Sequence, residues 1–132
     1  MPGSGKTTVG RELAKRLGLR FVDSDHEIEL RTGVKIPTIF EIEGEDGFRK
    51  RETCTLDALT QESGLVLATG GGAVISPVNR QLMSGRGVVI YLSVPPHILG
   101  ERTRHDRSRP LLPVPDPRGR LQQLHAARDP LY

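Results

Sequence analysis

Gly3-Ser4-Gly5-Lys6-Thr7-Thr8 opens the chain, and Val9, Leu13, Ala14 and Leu17 follow at helical spacing until Gly18 stops the pattern. The stretch carries the core of the phosphate-binding loop G-x-x-x-x-G-K-[ST]. Glycines let backbone N–H groups converge on phosphate oxygens, and the helix that follows aims its positive end at them. In that pattern Lys6 reaches the transferred phosphate and the Thr7 hydroxyl ligates Mg²⁺, while Gly3, Ser4, Gly5 and Thr8 complete the nucleotide cradle. The competing reading is a plain glycine-rich start to an ordinary helix. Counting back from Gly5, the pattern's first glycine falls one position before Met1, together with the strand that normally feeds such a loop.

Outward from this start, strands and helices alternate. Leu19–Val22 is a short apolar run ending on Asp23-Ser24-Asp25, read as a strand followed by a helix over Asp25–Arg31 with Ser24 as its cap. Two helices are expected over Ile36–Ile42 and Phe48–Leu59, separated by Gly44-Glu45-Asp46-Gly47. Leu65–Ala68 reads as a buried strand running into Gly70-Gly71-Gly72, and Pro77–Met83 as a short helix. Gly87–Val94 has the clearest strand pattern in the chain, and helices are expected over about Pro96–Arg104 and Leu121–Arg128. Between them His105–Pro117 holds four prolines and several charges, the composition of a mobile loop. The alternation predicts an α/β fold with a parallel sheet covered by helices on both faces.

Composition narrows the function. A chain of 132 residues is one domain, and its 36% apolar residues plus 15 glycines suffice for a modest core. No run approaches the roughly 18 apolar residues of a membrane span. The opening residues include no apolar h-region, so export is not expected. The single cysteine, Cys54, allows no internal disulfide and fits a reducing cytoplasm; it is read as a packing residue on a helix. Of the 19 basic residues 15 are arginine, the side chain suited to gripping phosphates and carboxylates with two parallel hydrogen bonds. Five Phe and Tyr residues and no Trp supply little stacking surface for nucleic acid. The four histidines show no metal-ligand spacing.

Asp23 and Asp25 stand two apart at a strand's C-terminal end, where α/β sheets present their ligands. Beside a phosphate loop, such a pair suits one acid near the metal and one facing an acceptor hydroxyl; a helix cap with a solvated charge is the plainer reading. Gly70–Gly72 after a buried strand lets a ligand meet bare N–H groups. Taken together, GSGKTT, DSD, FRKRE, GGGAV, RPLL and RDPLY, in this order, resemble the shikimate kinase family, within the nucleoside-monophosphate-kinase-like group of P-loop kinases. The resemblance runs from Met1 to Tyr132. It implies that Lys6 and Thr7 hold ATP and Mg²⁺, and that Asp23 binds the metal's water shell. It implies further that Asp25 contacts the shikimate hydroxyl as catalytic base, and that Arg49, Arg128 and the backbone at Gly71 and Gly72 bind shikimate. Arg109, on a closing lid over about 105–117, would meet the phosphates, and Arg102 would flank adenine. A soluble cytoplasmic monomer acting on shikimate and ATP, with no nucleic-acid or membrane partner, goes with this reading.

The family's sheet has five parallel strands with the loop-bearing strand in the middle. Measured against it, the chain reads as truncated at both ends. It retains the second, third and fourth strands and lacks the central first strand and the C-terminal strand and helix. An inactive fragment is therefore one expectation for the chain as it stands. Another small-molecule kinase of the group, such as a gluconate kinase, is the alternative enzyme reading, disfavoured by the DSD, FRK and GGG set. A nucleic-acid-binding module using the arginines between Arg102 and Arg128 is the alternative of a different class, and acids dilute that segment's charge.

Overall fold

Glycine decides how the first helix begins. In the computed structural model, which describes residues 3–103 and 116–132, helix α1 spans Lys6–Leu17 and is preceded by Gly5 at φ 85°. That left-handed backbone favours a residue without a side chain, and it turns the chain abruptly into the helix. The helix lies across strands β1 (Arg20–Asp23) and β2 (Leu65–Ala68). Gly10 faces Phe21 of β1 so closely that a Cβ there would sit 2.7 Å from the ring. The two strands are parallel and paired in register from Arg20 with Leu65 to Asp23 with Ala68.

Helix α2 (Ser24–Thr32) follows β1 without a loop. Helix α3 (Ile36–Thr60) packs against it and is broken at Gly44, whose φ of 69° and ψ of −175° interrupt the helical backbone. The two expected helices are thus present, joined at this one residue instead of across a four-residue loop. Ile28, Ile39 and Phe48 form the core between α2 and α3, with the Phe40 and Phe48 rings 4.7 Å apart. Helix α4 (Pro77–Arg86) starts with proline in its first turn and Ser76 as its cap, and it packs on α3. Helices α5 (Pro96–Thr103) and α6 (Pro117–Arg128) share a second cluster of Leu99, Leu121 and Leu124.

Four expectations need correcting. Gly87–Val94 is not a strand: it pairs with neither β1 nor β2, and Val88, Val89 and Ile90 are 94%, 57% and 66% exposed. A β-branched run expresses a fit to a pleated, half-buried surface, and without a ladder partner the pattern has nothing to realise. The described residues therefore form two strands of sheet, not three. The narrow sheet also leaves part of α1 uncovered, so of its predicted apolar face Ala14 is buried while Val9 and Leu17 stay largely exposed. The cap of α2 is Asp23, which accepts from the N–H groups of Asp25 and His26, because Ser24 is already the helix's first residue. Cys54 is exposed on α3 and packs into no core. Helix α6 begins at Pro117, so the expected loop ends there in a cap and first turn, and its residues 105–115 lie outside the described residues. Among the described residues no helix is long and apolar enough to cross a membrane.

Candidate phosphate and acceptor site

The glycine loop and the end of β1 meet at one point. Gly3 and Gly5 both take positive φ, Ser4 between them is buried, and the Lys6 ammonium lies 3.4 Å from the Ser4 hydroxyl. Thr7 and Thr8 stand in the exposed first turn of α1. The Thr7 hydroxyl donates to Asp23 Oδ2 at 3.2 Å, while Asp23 Oδ1 caps α2. One carboxylate thus does two jobs: one oxygen anchors a helix start and the other faces the phosphate loop. A hydroxyl beside a carboxylate is a hard-oxygen set that suits Mg²⁺, which is held by one or two such groups plus phosphate oxygens. Among the described residues no cluster of three or more His, Cys, Asp or Glu could hold a metal ion.

Asp25 sits two residues further on, in the first turn of α2, and from there the second half of the site begins. Ser24, fully buried, accepts from the Gly70 N–H at 3.3 Å and ties the end of β2 to the end of β1. A Cβ added to Gly70 would lie 2.9 Å from Asp25 Oδ1 and 3.0 Å from Glu52 Oε1, so two carboxylates converge over this glycine. A Cβ on Gly72 would lie 2.5 Å from both terminal nitrogens of Arg49. At Gly70 and Gly72 the side chains lying on the turn thus leave no ready room for a Cβ. Neither the Gly71 nor the Gly72 N–H has a hydrogen-bond partner among the described residues, although Gly72 is buried.

Arg49 is held from two sides, by Glu52 at 2.7 Å and Glu45 at 3.0 Å, and its guanidinium packs near the Phe48 ring. Burial works against its charge, but the two glutamates outweigh burial and raise its pKa. Glu52, 1% exposed, is pushed the other way. Burial lifts its carboxyl above the usual range, Arg49 pulls it back only in part, and Asp25 adds to the rise. Viewed from Arg49 the pair is strongly ionic; viewed from Glu52 desolvation dominates. Near-complete burial is the larger influence on the Glu52 carboxyl and holds its pKa above the usual range. Arg128, in the last turn of α6, is also buried, and burial together with the positive charge of Arg49 lowers its pKa. Arg49 and Arg128 thus lie within each other's field, with the Arg49 guanidinium against Gly72.

Among the residues named from sequence, the structure brings together Gly3, Ser4, Gly5, Lys6, Thr7 and Asp23 at one end. At the other it gathers Asp25, Arg49, Gly71, Gly72 and Arg128. Arg102 lies on α5, where the backbone alone is described, and Arg109 and the expected lid lie outside the described residues. The sequence reading passed over Glu52 and Glu45, although their spacing from Arg49, three after and four before on one helix, is that of facing side chains.

Comparison with known proteins points the same way. A family model described as shikimate kinase matches residues 2–132. The shikimate kinase of Aromatoleum aromaticum is 66% identical over 132 residues, covering all of this chain and 75% of that protein. That of Dechloromonas aromatica is 63% identical over 130 residues, covering 98% of this chain and 71% of the relative. Among solved structures, the shikimate kinase of Acinetobacter baumannii in complex with shikimate superposes with a TM-score of 0.97 at 55% identity, covering 99% of this chain and 74% of that one. The Aquifex aeolicus enzyme gives a TM-score of 0.84 at 36% identity, over 98% of this chain and 76% of that one. A phosphate loop, an acid pair, paired arginines over a glycine turn and these likenesses lead to one conclusion: the chain belongs to the shikimate kinase family.

Proposed function

We propose that this protein transfers the γ-phosphoryl group of ATP to the 3-hydroxyl of shikimate, giving shikimate 3-phosphate and ADP. The observation that carries the reading is the junction at Asp23 and Asp25. One acid faces the phosphate loop, and the next but one faces the glycine turn beneath Arg49. Phosphoryl transfer asks mainly for positioning and charge neutralisation. The glycine loop and Lys6 cradle the donor phosphates, and Arg49, Arg128 and the Gly71 and Gly72 N–H groups hold the acceptor's carboxylate and ring hydroxyls. Asp25 takes the proton of the attacking hydroxyl as its oxygen bonds to phosphorus and the bond to ADP breaks. Thr7 and Asp23 would hold magnesium, which when bound would supply positive charge to offset that of the phosphates. In the same reading Arg109, on a lid over 105–117, meets the phosphates, Arg102 flanks adenine, and the protein works as a monomer in the cytoplasm. A coupled ADP-release assay across shikimate, gluconate and nucleoside monophosphates tests the reading, with turnover expected on shikimate alone. Turnover of another acceptor without shikimate contradicts it, and no turnover with any acceptor favours an inactive fragment.

A further inference from the structure

Tyr132 lies 61 positions from Gly71 in sequence, yet its hydroxyl donates to the Gly71 carbonyl at 2.6 Å. The ring is held in turn. It packs against the Leu99, Leu121 and Leu124 cluster and stacks on Tyr91, with ring centroids 4.2 Å apart and planes within 3° of parallel. Tyr91 donates to Asp129 Oδ1 at 3.0 Å, closing the arrangement onto the end of α6 that also carries Arg128. Across a planar trans peptide the carbonyl of one residue and the N–H of the next point in opposite directions. A donor that fixes the Gly71 carbonyl therefore fixes the direction of the Gly72 N–H as well. Glycine on both sides of this peptide leaves its plane otherwise free to rotate.

We propose that Tyr132 is a positioning residue for acceptor recognition: by holding the Gly71 carbonyl it sets the Gly71–Gly72 peptide plane and couples it to the helix end bearing Arg128. The inference rests on the acceptor reading above and extends it to a residue that need not touch the substrate. The hydroxyl stays protonated, and so able to donate, at neutral pH, because burial raises its pKa.

Tyr132→Phe keeps the ring, its stacking and its packing, and removes only the donor. A neutral hydrogen bond of this kind corresponds to a change of about three- to tenfold in shikimate affinity. Calorimetric titration should show that weakening for shikimate, while ATP affinity stays within about twofold. Heteronuclear NMR of the ligand-free protein should show displaced Gly71 carbonyl and Gly72 amide resonances. A wild type that binds shikimate alongside a variant of equal affinity overturns the inference and leaves the functional reading intact. A wild type that does not bind shikimate overturns the functional reading and the acceptor role with it. Unmoved Gly71 and Gly72 resonances overturn the peptide-plane claim in either case.

Discussion

Replacing Gly72 with alanine adds one methyl group at a place where the structure has no room for it. Its Cβ would stand 2.5 Å from both terminal nitrogens of Arg49 and 2.7 Å from the carbon between them. The backbone itself offers no objection, since Gly72 has φ −93° and ψ −7°, open to any residue. The whole effect falls on the guanidinium, which must retreat by about 1 Å to reach ordinary contact near 3.5 Å. It is not free to do so without loss, because Glu52 and Glu45 hold it at 2.7 and 3.0 Å. In the proposed acceptor site, an Arg49 displaced that far would lose its alignment with the substrate carboxylate. A charge-assisted hydrogen bond is worth about 1.5–3 kcal/mol, so shikimate should bind roughly ten- to a hundredfold more weakly. Calorimetric titration and the shikimate KM in a coupled assay both read this, and the ATP requirement should hardly move. Equal shikimate binding by Gly72→Ala and wild type would refute the placement of Arg49 in the acceptor site.

The remaining expectations follow the same reasoning. Gly85 lies within α4 and a Cβ there meets nothing within 4 Å. Gly85→Ala should accordingly raise stability by about 0.5–1 kcal/mol in a thermal melt, with shikimate binding unchanged. Asp23→Asn preserves the cap of α2, since asparagine caps about as well as aspartate, but removes the charge beside Thr7. The melting midpoint should hold while the Mg²⁺ requirement rises about ten- to a hundredfold. Glu52 has a folded-state pKa above its ordinary 4.5, so the native protein holds that proton more tightly than the unfolded chain. Its contribution is fully present below the ordinary value and is lost as pH rises through the folded value. Melting curves across that range should show wild type losing stability relative to Glu52→Gln, and parallel curves would contradict the raised pKa.

Much of this architecture was legible because its signals are local. Gly5 and Gly18 bracket α1 at the residues the pattern names, and Leu65–Ala68 is a strand with the bounds its apolar run predicts. Thr7 and the glycines could be named as candidates because a phosphate loop is a contiguous motif with its own mechanics. Gly87–Val94 failed for the opposite reason. Strand propensity is carried by the segment, but a strand exists through its neighbour, and no neighbour is written into the run itself. The clamp on Arg49 lay within reach, since Glu45 and Glu52 share its helix face. The Tyr132 contact with Gly71 did not, because a bond spanning 61 residues leaves no spacing to read.

The central claim is that Arg49 and Arg128 together recognise a carboxylate over the Gly70–Gly72 turn. Calorimetric titration of the protein with shikimate and with its methyl ester tests this most directly, because esterification removes the negative charge and leaves the ring hydroxyls in place. The account predicts that shikimate binds and that the ester binds at least about tenfold more weakly, the loss of one charge-assisted hydrogen bond. Equal affinity for the two, or no binding of shikimate, would contradict it.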